Sequence, residues 1–404
     1  MKRAIIMGLF AVLFLVGSTC VIYAILTSRY HFLVWDFHQL WSGTRAIVLD
    51  GENPYSDVVT LRIETELYGR PAYPDENAVG FFYPLYIVYL MIPVALMPYA
   101  LAEAVWFSVL ELALVTGVIA VVRALGWNMR WSGLAALILM AGALYPVTWA
   151  LILGQISLVV FALVALVLWA IRSHRDVWAG LLLAFATVKP QMVFLFAPAL
   201  LIWMAMRGRW RFVLGFGLTF AVLWISSLIW LPTWVGDFLR VNRRYLEVMP
   251  FRPPVQLFAN WCCRDSGIVV GTLVVLLVSV VAFAWRRALR SGGGCESWAV
   301  ALTLVVTTCV APRTSLVNQV VLLFPLVLVL HGLWVSRTWG RMVAAGLAVV
   351  LVVGLWSIRA SGVIPAGPSG YQVEHIIVSP ILPVVLLLAV LISAYQVCVK
   401  RDSP

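Results

Sequence analysis

Apolar residues run along this chain in long blocks rather than in alternation. The blocks fall at about 4–27, 82–98, 100–124, 131–151, 155–171, 177–188, 191–206, 212–231, 266–285, 298–311, 318–335, 342–357 and 378–398. Several reach the roughly 20 residues that a bilayer crossing needs. Outer-membrane barrel strands would instead alternate apolar and polar positions. The pattern therefore predicts an all-α, multi-pass membrane protein, with 1–404 as one integral membrane domain. The block from Ala4 to Leu26 follows Lys2-Arg3 as a signal peptide would. It is too long for a signal core and lacks a convincing cleavage site, so it reads as a retained first span.

Composition agrees. Hydrophobic residues are 63% of the chain and charged residues 11%, against roughly 25% charged in soluble domains. Mean hydropathy is +1.00. A soluble enzyme, a disulfide scaffold and a disordered chain are excluded. The net charge of +11 comes from short basic clusters between apolar blocks, the positive-inside pattern of a membrane protein rather than a nucleic-acid footprint. The six cysteines show no metal-ligand spacing.

Charge also predicts topology. Placing Lys2, Arg3, Arg123, Arg130, Arg172, Arg175, Arg207, Arg209, Arg211, Arg286, Arg287, Arg290, Arg337, Arg341, Lys400 and Arg401 inside puts 16 of the 28 basic residues in cytoplasmic loops. Both ends are then inside, so the span count is even. The weakest block is 82–98, which begins Tyr83-Pro84, is broken by Pro93 and ends at Pro98. It reads as a re-entrant or interfacial piece, leaving about twelve spans. Two large outer loops follow, 28–98 and 232–265. Such unequal loops place chemistry on the extracytoplasmic face of the inner cell membrane.

Within the first loop, Phe37, Leu40, Trp41, Thr44, Ile47 and Val48 recur at helical spacing. Gly51 then stops the helix and Asn53-Pro54 prevents its resumption. About fourteen residues cannot span a bilayer, so this predicts an amphipathic interfacial helix. Asp36 stands just before it. Two roles fit: an N-cap, with Gln39 as capping-box partner, and a catalytic carboxylate that takes a proton from a sugar hydroxyl. The two are compatible. His38 is expected to point away from the apolar face.

The stretch from Asp36 to Gly51-Glu52-Asn53-Pro54-Tyr55 resembles glycosyltransferase family 87. Further resemblances follow in order: Tyr83-Pro84-Leu85-Tyr86, Gly154-Gln155-Ile156-Ser157, and Ala179-Gly180-Leu181 with Lys189-Pro190-Gln191. Two depart from the family pattern, with Leu85 in place of a second proline and Ser157 in place of asparagine. The resemblance covers roughly 30–330. It implies a GT-C-like bundle of about twelve membrane helices with interfacial helices in the first outer loop. It also implies a mannosyltransferase-like enzyme that uses a polyprenyl-phosphate sugar, with Asp36 as the general base.

Lys189 lies deep in an apolar stretch, where an ammonium costs about 2.5–3.5 kcal/mol even on lenient scales. With Pro190 opening the next helix, Lys189 would stand at a positive helix end and suit a donor phosphate. Snorkelling to head groups is its alternative. Arg243 and Arg244, with Arg240 and Glu247, share a helical face in the second loop, and Arg313 marks another outer turn. Arg243, Arg244 and Arg313 are candidates for the donor phosphate, against simple head-group binding. Gln155, Tyr55, Tyr83, Asn318 and Gln319 are candidates for the sugar or acceptor, with interhelical hydrogen bonding as the plainer role of Gln155. Asn318-Gln319 stands where the resembled family often carries histidine. Glu111 is expected to make a structural hydrogen bond, and Asp237 to be solvated. No metal and no cofactor are expected.

No P-loop, Gly-rich strand–helix turn or soluble domain offers a place for a nucleotide sugar. A lipid-linked donor, a lipid or glycan acceptor and membrane lipids are the expected partners, and nucleic acid is not. A transporter or flippase of lipid-linked sugars is the rival reading. It predicts charges at broken helices near the midplane and internal repeats, whereas the polar candidates here gather at span ends and in loops.

Overall fold

The computed structural model describes residues 16–24, 35–73, 76, 78–248, 252–263, 266–290, 295–312, 314–336, 338–361, 363, 373 and 376–394. Every regular element among these residues is helical. Five helices are long and apolar enough to cross a membrane: Tyr99–Leu125, Trp210–Trp230, Gly267–Arg290, Leu316–Val335 and Trp339–Ala360. The pair Trp131–Ala143 and Tyr145–Ile152, bent by 69°, makes a sixth if counted as one span. Shorter apolar helices occupy the remaining described blocks: Leu85–Ala95, Ser157–Arg172, Asp176–Ala186, Phe196–Met206, Glu296–Val310 and Ile381–Ala394. The chain is thus an all-helical, multi-pass membrane protein. Most of the first expected span lies outside the described residues.

Leu85–Ala95 carries Pro93 inside it and belongs with the shorter apolar helices, as do Asp176–Ala186 and Phe196–Met206. Arg45 closes its C-terminal end by donating to the Ala95 carbonyl at 2.8 Å, which satisfies an acceptor that no helical N–H reaches.

The chain divides into two compact units. One comprises Met1–Thr116, Trp149–Val159 and Phe220–Met249, and the other Gly117–Thr148, Val160–Thr219 and Pro250–Pro404. In the first unit, the aromatic helix Trp35–Val48 is followed by Gly51 at φ +66°, and Glu52 N–H returns to the Ala46 carbonyl. Asn53 Oδ1 then accepts the Tyr55 N–H. Ser56 caps helix Asp57–Tyr68 by accepting the Val59 N–H, and Gly69 ends it in the left-handed region. Ala46, Val59, Ile63 and Val79 form the small core beneath these turns.

In the second unit, Glu296–Val310 is the central helix, with almost every residue buried. Gly267–Arg290, Leu323–Ser336 and Ile381–Ala394 pack around it. Helices Asp176–Ala186 and Trp210–Trp230 touch backbone to backbone at Gly180 and Gly215. A Cβ on Gly180 would run into the Phe212 carbonyl, and one on Gly215 into the Val177 carbonyl. At one end of the unit, Arg209 pairs with Asp176 and donates to the Ile171 carbonyl. Arg207 donates to the Ala288 carbonyl beside Glu296. The basic turns that charge assigned to one side of the membrane therefore do meet at one end of this unit.

Candidate functional site

The aromatic helix is more enclosed than a single apolar stripe implies. Phe37, Leu40, Thr44 and Ile47 are buried as expected, but so are His38, Gln39, Ser42 and Gly43. The segment before Tyr83 covers this second face. Phe81 lies so close to Gly43 that a Cβ there would overlap its ring, and Gln39 Oε1 accepts the Gly80 N–H at 3.0 Å. Gln39 is therefore not the capping-box partner of Asp36. Asp36 is half-buried and occupies the first turn, since the helix begins at Trp35. A carboxylate there is favoured by the helix dipole without being an N-cap.

The expectation that His38 turns away is corrected. It is 3% exposed, its ring packs against Trp41 and Tyr99, and its Nε2 lies 3.2 Å from Glu66 Oε2. Ser42 donates to the same carboxylate oxygen. The hydrogen bond from His38 is the main reason that the Glu66 carboxyl titrates below its ordinary range, and it outweighs the opposing effect of partial burial. The apolar stripe gave no sign of this pair, because Glu66 comes from the next helix.

Asp237, expected to be solvated, is partly exposed and engaged by three donors. It accepts from Asn53 Nδ2 at 2.8 Å, Thr233 Oγ1 at 2.8 Å and Arg240 at 3.1 Å. Burial works to raise its pKa, but the three donors together hold it below the usual value. Arg240 also reaches the Tyr55 carbonyl. Helix Trp234–Val248 is thereby tied to the turn after the aromatic helix. On its outer face Arg243 faces Glu247 at 3.7 Å and Arg244 faces Asp57 at 3.6 Å, all well exposed.

Tyr55 is 1% exposed and donates its hydroxyl to the Tyr83 carbonyl at 2.6 Å. Burial above all, with Tyr86 and Asp237 nearby, pushes that hydroxyl well above its normal pKa. Tyr55 and Tyr83 are thus brought together as a brace of the loop, with Tyr83 half-buried. Gln155 is buried after the left-handed Gly154, whose carbonyl accepts from Trp106 Nε1 at 2.7 Å. Ser157 donates to Gln155 Oε1 at 3.3 Å, so the serine retains a polar contact at this step. Glu111 hydrogen-bonds Ser18, the structural role expected of it.

In the second unit, Lys189 is 3% exposed and precedes a three-residue 3₁₀ turn, Pro190–Met192. Pro190 does stand at its first position. The α-helix, however, begins only at Phe196, so a full helix dipole at Lys189 does not form. Its burial also removes the snorkelling geometry. Asn318 and Gln319 lie in the 3₁₀ stretch Leu316–Leu322, both buried. Gln319 Nε2 donates to the Ser379 carbonyl and hydroxyl at 2.5 and 3.0 Å. Arg313 lies outside the described residues. Among the described residues, no three His, Cys, Asp or Glu side chains cluster as metal ligands would.

An all-helical, multi-pass membrane protein, with buried polar groups in its first-loop unit and a buried lysine in its second, is the class defined by the fold. The model of glycosyltransferase family 87 matches residues 81–317, more than half of the chain, and the chain belongs to that family. It is therefore a membrane glycosyltransferase. The match contains Tyr83-Pro84, Gly154-Gln155 and Lys189-Pro190, while Asp36 precedes it and Asn318-Gln319 follows it. No curated protein matches the chain.

Proposed function

We propose that this glycosyltransferase moves a hexose, mannose first among the candidates, from a polyprenyl-phosphate donor to a lipid or glycan acceptor, with inversion. The reaction is assigned to the extracytoplasmic face of the inner membrane, in a GT-C-like bundle of about twelve spans. Asp36 is the general base that takes the proton of the acceptor hydroxyl. The observation that carries this is the setting of Asp36. It is half-buried in the first turn of a helix whose body is locked by Phe81, Gln39 and His38, and a base must be held in place to act. Lys189 is assigned to the donor phosphate, because a buried ammonium needs an anionic or polar environment.

The test is incubation of the purified protein with polyprenyl-phosphate mannose and a panel of lipid and glycan acceptors, with products followed by mass spectrometry. Transfer to at least one acceptor is expected. Transfer only from nucleotide sugars would overturn the lipid-linked donor, and no transfer from any donor would overturn the reading.

A further inference from the structure

The first unit contains a pocket of about 370 Å³ that neither Asp36 nor Lys189 lines, although Arg244, one of the donor-phosphate candidates, stands in its wall. Helix Asp57–Tyr68 supplies Asp57, Thr60 and Glu64, and the loop after it supplies Tyr73 and Glu76. The opposite wall is Phe82 with Arg240, Arg244 and Tyr245 of helix Trp234–Val248. From these residues we infer that the pocket binds a pyranose, the sugar residue of the acceptor. This rests on the proposed transferase function.

Three features select a sugar. First, Phe82 and Tyr245 stand at the wall with ring centroids 4.4 Å apart and planes at 50°. Both are only half-buried, so their rings offer apolar area to the C–H face of a pyranose. Second, the pocket is rich in acceptors that sugar hydroxyls can satisfy. Glu64 gives one oxygen to the Ala72 N–H at 3.1 Å, and its second oxygen has no partner among the described residues. Ionised carboxylates accept strongly from hydroxyl donors. Third, the polar groups are already oriented. Arg70 clamps both oxygens of Glu76 and stacks 3.6 Å over the Tyr73 ring, while Glu76 accepts the Tyr73 N–H. Preorganised polar groups beside aromatic faces are the usual form of a small-molecule site.

An anion fits less well. Three carboxylates face two guanidiniums here, and Arg240 and Arg244 already have carboxylate neighbours. A neutral polyol meets no such repulsion. The site joins the first loop to the second, which gives both large loops a role in holding acceptor.

Saturation-transfer NMR on the purified full chain with methyl α-mannoside, α-glucoside and α-galactoside tests the inference, beside acceptor and donor KM values in the transfer assay. Phe82→Ala removes the stacking ring, Glu64→Gln keeps the shape but weakens the acceptor, and Ala72→Trp fills the cavity. Binding of at least one glycoside is expected, weakened tenfold or more in Phe82→Ala and Ala72→Trp, with acceptor KM raised and donor KM unchanged. If only the donor KM rises, the pocket holds the donor sugar and the acceptor assignment fails. If transfer proceeds with all KM values unchanged in Glu64→Gln and Ala72→Trp, the pocket inference falls while the transferase reading stands. Glycoside binding at the pocket without transfer from any donor would sink the transferase reading and the acceptor role with it.

Discussion

Asn53 and Asp237, 184 residues apart, are joined by a 2.8 Å hydrogen bond from the asparagine amide to the carboxylate. Asn53 also holds the Tyr55 N–H through its other side-chain atom, and Tyr55 in turn braces Tyr83. One asparagine thus links the turn after the aromatic helix, the segment before Pro84 and helix Trp234–Val248. A glutamine or serine would not span both contacts with the same geometry.

Asp237→Asn should lower the thermal midpoint at neutral pH, since hydrogen bonds to a charged group contribute roughly 1.5–3 kcal/mol each. The sign with pH follows from its depressed pKa. A carboxyl that is more acidic folded than unfolded stabilises above its unfolded value, and that stability is lost as pH falls through the lower folded value. The gap between wild type and Asp237→Asn should therefore narrow as pH drops to and below 3.8, the ordinary value for aspartate. A gap unchanged from neutral pH into that acid range would show that the charge of Asp237 does not carry the contribution.

Asp36→Asn should abolish most turnover and leave folding intact. General-base catalysis is typically worth about 10²–10⁴-fold, whereas loss of a first-turn charge costs about 0.3–1 kcal/mol of helix stability. Rates compared at equal expression, with thermal midpoints alongside, separate the two. Activity within a few-fold of wild type would assign Asp36 to the helix terminus alone.

Lys189→Met should fold, because it takes a charge out of a buried position rather than placing one there. Donor binding, measured by titration with the polyprenyl-phosphate sugar, should weaken by an order of magnitude or more, since charged hydrogen bonds to phosphate are strong. Unchanged donor affinity would leave Lys189 as a packing residue.

Gly180→Ala tests the close helix contact of the second unit. The added methyl meets the Phe212 carbonyl and the Phe216 amide, which are backbone atoms and cannot rotate away. Overpacking of this kind costs typically 1–3 kcal/mol, so the variant should show a lower midpoint in detergent. Gly217→Ala on the neighbouring helix is the control, because a Cβ there meets nothing within 4 Å. Equal midpoints for the two variants would remove the steric account.

The helical class, the membrane setting, the stop at Gly51 and the short, proline-containing helix of the 82–98 block were all legible in the sequence. Each rests on a signal carried within a few neighbouring residues: a run of apolar side chains, a glycine that accepts positive φ, or prolines that interrupt a short helix. The family was legible too, from short motifs whose order survives without any contact being known. What only the tertiary structure decided are the partners of polar side chains. His38 meets Glu66 from the following helix, Gln39 meets Gly80, and Asp237 meets Asn53. A carboxylate on an amphipathic helix has the same local pattern whether it faces water or an asparagine from another loop. The second face of the aromatic helix was hidden for the same reason. Phe81 closes on Gly43, while Tyr99 and Glu66 cover His38, and a residue that covers a helix leaves no mark on that helix's own periodicity.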